Sequence, residues 1–270
     1  MTLGVVVSPP ASEVELAADA LWSLGSVAVE ERDGELWTSL GDDQAWVAAA
    51  MSTAWPYRFV EMDDAAADTW RQFAQPTRIS PTLIITPTWV SYEAAVGERV
   101  ITIDPGATFG MGDHPTTVLS LQAVEALVRD GDTVLDVGCG SGVLAIAALM
   151  LGARRAVGID INPASVEVSR ANAVLNGVAD GIDVSNAPLA DVSAARPAEF
   201  DVIFANILAP ALIELSADLK SCLKPDGHLV ISGILASNYD HVLEALLPLK
   251  VVAIATMDVW AAVTLHWKSS

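Results

Sequence analysis

The chain has 270 residues, 52% hydrophobic and 18% charged, which is ample core material for two unequal globular domains. Its 34 acidic residues outnumber 14 basic ones, for a formal net charge of −20. Phosphate binding needs clustered Lys and Arg, so this balance argues against an RNA or DNA substrate and suits a basic protein partner.

Leu3 to Val7 reads as a short apolar strand closed by Pro9-Pro10, and the start, MTLGVVVSPP, lacks the positive charge and apolar run of a signal peptide. Ser12 is placed to cap a helix from Glu13 to Leu24, with Glu15 completing a capping box. Ser26–Glu31 and Glu35–Leu40 flank Arg32-Asp33-Gly34 as a hairpin with glycine in its turn. Asp42 to Met51 reads as a second helix and Tyr57 to Met62 as a last strand. The order βαββαβ predicts a small ferredoxin-like α+β domain over residues 1–62. With ten acids against two bases, it is no RNA-binding version of that fold. Asp63 to Gln75 reads as a linker helix ended by Pro76, with Trp70 and Phe73 sharing one face, so the linker is placed at 63–77.

Residues 78–270 carry a different rhythm. Ile79 to Ile103 holds short strands broken by Pro81 and Pro87, and Pro115 to Val128 is a helix with proline in its first turn. Strands then alternate with helices: Val134–Val137, Ala156–Ile159, Ile182–Val184, Val202–Ala205 and Leu229–Ser232, with Val251–Met257 and Val263–Trp267 closing the series. This predicts an α/β domain, a Rossmann-like and mostly parallel sheet with helices on both faces. The longest uncharged apolar stretch, Val143 to Ala153, is too short to span a bilayer. Cys139 and Cys222 fit no metal spacing or C-x-x-C pair. A cytoplasmic protein without metal, membrane or nucleic acid is expected.

The most informative run is Asp136-Val137-Gly138-Cys139-Gly140-Ser141-Gly142. It follows a buried-strand pattern, TVLDV, and precedes an Ala- and Leu-rich helix. Glycine at every second position lets the backbone turn tightly and approach a ligand. The next strand ends on Asp160, a carboxylate placed to accept from two ribose hydroxyls. A dinucleotide fingerprint needs G-x-G-x-x-G, but Val143 stands where its third glycine belongs. The spacing therefore favours an S-adenosylmethionine corner. Ligands in such sheets bind beyond the carboxyl ends of the strands. Three segments should converge there: Gly138–Gly142 with Asp160, Asn206-Ile207-Leu208-Ala209, and the glycine- and threonine-bearing loop from Asp104 to Thr117. A lone histidine in that loop, His114, is more often structural than catalytic.

Together PGATFGMGDHPTT, DVGCGSG, GIDINP, ANILAP and SGIL resemble, at matching intervals, the bacterial ribosomal protein L11 methyltransferase family. Met111 departs from the family's usual threonine, and the N-terminal domain matches in layout rather than in motif. The resemblance implies a class I methyltransferase fold with S-adenosyl-L-methionine as cofactor. It implies that Thr117, Gly138, Asp160 and Asn206 contact the cofactor and that Phe109, His114, Thr116 and Gly140 line the same pocket. It also implies that the N-terminal domain grips ribosomal protein L11, whose lysine side chains and N-terminal amine receive the methyl groups, and a monomer is expected. On the chemistry, Asn206 and the carbonyl of Ile207 are the expected acceptors that aim the nitrogen lone pair. Methylation of another protein lysine or of a small-molecule amine stays open, as does a non-catalytic cofactor-binding module.

Overall fold

The computed structural model describes residues 2–23, 26, 29–38, 55–62, 74–106, 108 and 110–267. They fall into two compact units, Met1–Gln75 with Pro105–Phe109, and Pro76–Asp104 with Gly110–Ser270.

In the first unit β1 (Thr2–Val7) lies between β3 (Glu35–Thr38) and β4 (Tyr57–Met62), and β2 (Val29–Arg32) pairs outside β3, all antiparallel. Val5 and Val7, two apart, point to one face, opposite Phe59 and Tyr57 on one neighbour and Thr38 and Leu36 on the other. They form the buried core there with Leu36 and with Ala17 and Leu21 of α1 (Val14–Ser23). A 3-10 turn, Ala11–Glu13, leads into α1; the capping pair Ser12 and Glu15 lies outside the described side chains. The hairpin turn has positive φ at Asp33 (53°) and Gly34 (80°), as a two-residue turn between twisted strands requires. On the opposite face Arg32 and Arg58 cover the Trp37 ring at 4.8 and 5.6 Å. Arg58 also grips Glu35 with both guanidinium nitrogens, at 2.6 and 2.7 Å, and this pairing holds the Glu35 carboxyl down to about 2. Both basic residues of the first 62 positions are thus engaged around Trp37. The helix expected at Asp42–Met51 lies outside the described residues. So does the linker helix with Trp70 and Phe73, apart from Ala74 and Gln75, which have no regular structure.

The second unit opens with a three-stranded sheet of β5 (Thr77–Arg78), β6 (Leu83–Pro87) and β7 (Arg99–Ile103), with β7 at one edge. The main sheet is built from β8 (Thr133–Val137), β9 (Arg155–Ile159), β10 (Ile182–Ser185), β11 (Phe200–Asn206), β12 (Leu223–Leu235), β13 (Lys250–Met257) and β14 (Trp260–His266). Its order is β10-β9-β8-β11-β12-β14-β13, with β14 antiparallel to both neighbours and the pairs from β10 to β12 parallel. Alternation of period two sends Val134, Phe204 and Val230 to one face and Leu135, Ile203, Leu229 and Ile231 to the other. The first face is covered by α2 (Pro115–Leu127), α3 (Val143–Met150) and α4 (Pro163–Leu175). The second is covered by α5 (Leu189–Ala195), α6 (Ala209–Glu214), α7 (Ser216–Cys222) and α8 (Asp240–Ala245). Burial on both faces is why β8 is apolar almost throughout, and it makes Asp136 an anomaly within it. From β8 the chain order runs one way through β9 and β10 and the other way through β11 and β12. The switch point lies between β8 and β11.

Candidate active site

Beyond the paired ends of β8 and β11, where Val137 sits opposite Ala205, the chain continues into Gly138 and Asn206. Gly138, Gly140 and Gly142 all have positive φ, 73°, 51° and 80°. At Gly138 a Cβ would collide with Cγ2 of Ile207, so only glycine lets the two strand ends close this tightly. The turn is strapped to β9, since the N–H groups of Gly138 and Cys139 both donate to Ile159 O, at 2.8 and 3.0 Å. Asp160, at the end of β9, holds it further. Oδ2 accepts from Gly140 N–H at 2.8 Å and Oδ1 from Asn162 N–H at 2.9 Å. Each oxygen keeps lone-pair capacity for a further donor.

Asp136 lies behind the turn, 1% exposed. Oδ2 accepts from Ala145 N–H at 3.2 Å, while Oδ1 has no partner among the described residues. Burial, reinforced by the nearby Asp160 charge, pushes this carboxyl up to about 7. Burial likewise raises the Cys139 thiol well above its ordinary value, so Cys139 is inert packing in the turn.

The backbone just before α2 meets the glycine turn at Gly110. Thr108 donates backbone N–H and hydroxyl to Pro105 O, at 2.8 and 2.7 Å. Gly110 (φ 103°) approaches Ser141, whose Oγ donates to Gly110 O at 2.6 Å. His114 serves the helix: it is the N-cap of α2, its Nδ1 accepting from Thr116 N–H at 3.3 Å and lying 2.8 Å from Thr116 Oγ1. Thr117 is 1% exposed, and its hydroxyl has no hydrogen-bond partner among the described residues. Thr116 O accepts from Ser232 Oγ at 3.3 Å, and Ser232 stands opposite Asn206 in the β11–β12 register, which ties the start of α2 to the asparagine turn. Gly233 (φ 80°) lets the Ile207 backbone pass, since a Cβ there would lie 2.7 Å from Ile207 O.

Gly138, Gly140, Asp160, Asn206 and Ile207 therefore surround the switch point, with Thr116, Thr117 and His114 at the adjoining helix start. Phe109 lies outside the described residues. Sequence reasoning overlooked Ser141, Asn172, Ser232 and Ile161. Ile161 was the most visible, an aliphatic residue directly after the acidic strand end, and it is 94% exposed. Among the described residues no group of His, Cys, Asp and Glu could hold a metal ion.

A sheet of this order, with a glycine turn and an acidic strand end at its switch point, defines a class I methyltransferase fold. A family model described as ribosomal protein L11 methyltransferase (PrmA) matches residues 56–268. The chain belongs to the ribosomal protein L11 methyltransferase family. A Geobacter metallireducens protein of that name is 48% identical over 178 residues, 66% of this chain and 57% of the relative. One from Streptococcus equi subsp. zooepidemicus is 44% identical over 181 residues, 67% of this chain and 56% of the relative. The chain thus spans little more than half the length of these relatives. The crystal structure of ribosomal protein L11 methylase from Lactobacillus delbrueckii subsp. bulgaricus superposes with a TM-score of 0.66 at 34% identity, covering 72% of this chain and 99% of that one.

Proposed function

We propose that this chain is an S-adenosyl-L-methionine-dependent protein N-methyltransferase whose substrate is ribosomal protein L11, modified on lysine side chains and the N-terminal amine. The observation that carries the reading is the switch point, where the glycine turn, held by Asp160, packs against Ile207 directly after Asn206. The residues suit the cofactor. Gly138 leaves room where any side chain would intrude. Thr117 offers a buried hydroxyl with no partner among the described residues. Asp160 retains acceptor capacity for ribose hydroxyls, and exposed Ile161 offers an apolar platform beside it for the base. His114, Thr116, Gly140 and Phe109 would complete the walls.

When bound, the cofactor supplies a methyl group on a sulfonium. The chain's own task is to bring an uncharged nitrogen in line with it at near-attack distance. A free lysine of pKa ~10.4 is only ~0.1% neutral near pH 7.4, a penalty of roughly 4 kcal/mol. Desolvation at the crevice mouth lowers that penalty, and the proton can leave to water before the amine docks. Asn206, with the Ile207 carbonyl, would accept from the remaining N–H and aim the lone pair.

The N-terminal unit is read as a ferredoxin-like, substrate-recognising domain joined through a linker helix. The two arginines among residues 1–62 are spent on Trp37 and Glu35, and the ten acids of that stretch suit a basic protein and not nucleic acid. A monomer acting in the cytoplasm completes the proposal; among the described residues no helix is long and apolar enough to cross a membrane. The test is Asn206→Ala, with methylation of L11 and binding of S-adenosylhomocysteine measured separately. Turnover should fall ~100-fold, the scale of a lost positioning contact, while affinity changes less. Unchanged turnover would remove Asn206 from the chemistry.

A further inference from the structure

The two ends of the segment 104–110 are tied to one residue of the glycine turn. Asn172, 1% exposed on α4, donates Nδ2 to Asp104 O and to Ser141 O, both at 2.9 Å, and its Oδ1 accepts from Asp104 N–H at 2.9 Å. Ser141, fully buried, donates its hydroxyl to Gly110 O. The start of the segment is thus fixed to Ser141 through Asn172, and its end through the Ser141 hydroxyl. Four residues on, at the C-cap of α4, Asn176 repeats the first half of this pattern. Its Oδ1 accepts from Thr102 N–H at 2.9 Å and its Nδ2 donates to Thr102 O at 2.7 Å. Residues four apart on a helix advance ~6 Å and alternate strand residues ~6.6 Å, so each amide meets the backbone of every second residue as a peptide group would. Only Asn172 goes on to reach the turn.

We propose that Ser141 and Asn172 form a clasp that pins the backbone of Asp104 and Gly110 to the glycine turn and so sets cofactor affinity, Asn172 being a positioning residue that acts through this backbone. The proposal rests on the cofactor-site reading above. A loop held in place before binding spares the ligand the entropy of ordering it. Neither residue need touch the ligand for this.

Asn172→Asp keeps the shape but turns the Nδ2 donor into an acceptor facing two carbonyl oxygens. Asn176→Asp makes the same change against Thr102 O and Asn172 O and spares the turn, which makes it the matched control. By calorimetry with S-adenosylhomocysteine on the full chain, Asn176→Asp should bind within ~3-fold of the parent and Asn172→Asp at least ~10-fold more weakly, the size of a buried bond reversed in polarity. Their thermal midpoints should fall together. Ser141→Ala removes only the hydroxyl tie. It should weaken binding by ~3- to 10-fold and speed amide hydrogen exchange at residues 110–114. Should Asn172→Asp not fold, Ser141→Ala decides alone. Equal affinity in the two aspartate variants, or parental affinity and exchange in Ser141→Ala, overturns the clasp. Absence of binding by the parent chain overturns instead the cofactor-site reading beneath it.

Discussion

Asp136 gives the molecule a pH dependence of recognisable sign. The folded state holds its proton up to about 7, because burial disfavours the charge, whereas the unfolded chain releases it near 3.8. A folded-state pKa above the unfolded value means stability is present at low pH and declines as pH rises through that window. Three pH units correspond to at most ~4 kcal/mol. Glu35 and Glu98, both held down to about 2 by their hydrogen-bond partners, act in the opposite sense and only as pH falls below about 4.5, so they do not mask it. Urea denaturation at pH 5 and pH 8 should show the parent losing a few kcal/mol that Asp136→Asn does not lose. Parallel behaviour of the two proteins would mean that Asp136 is ionised throughout.

At the scale of elements, the corner was legible because its parts are local. A buried parallel strand writes a run such as TVLDV, a positive-φ turn writes glycines, and an acidic strand end writes Asp160. Three elements show where that reading thins. β12 was expected over Leu229–Ser232 but runs from Leu223 to Leu235, because its N-terminal stretch, LKPDGH, has the composition of a turn. The Asn172 tie to Asp104 spans 68 residues of sequence and leaves no periodic trace. Ser232 resembled an ordinary strand end, although its hydroxyl is what brings the start of α2 against the asparagine turn. Side-chain-to-backbone bonds between distant elements carry no signature in a single sequence, and these are the bonds that assemble the site. The glycines also rank differently once packing is known. Gly142 (φ 80°) has Ser169 Oγ at 2.9 Å from where a Cβ would stand, and Ser169 is itself fixed by its bond to Gly140 O. Gly177 (φ 70°) faces open space. Gly142→Ala should therefore cost ~2–4 kcal/mol by denaturant titration, strain and overpacking together, against ~1 kcal/mol for Gly177→Ala. Equal losses would show that Ser169 moves aside freely.

Over the whole molecule the net charge of −20 is the dominant long-range term. If a basic protein is the substrate, association is steered by this field and should slow several-fold between 50 and 300 mM salt. Cofactor affinity, if the proposed short contacts set it, should hardly move over that range. A methylation rate insensitive to salt at limiting substrate would leave the acidity with no part in recognition. Like charge also opposes the approach of further copies of the chain, but it cannot shield an open strand by itself. The outer strand of the small sheet, Arg99–Ile103, would offer passing chains an unpaired row of N–H and C=O groups. The amides of Asn172 and Asn176 already occupy the Thr102 and Asp104 positions along that row. The same asparagines that brace the loop thus act as a stopper on a sheet margin, and losing them would open a place for unwanted strand addition.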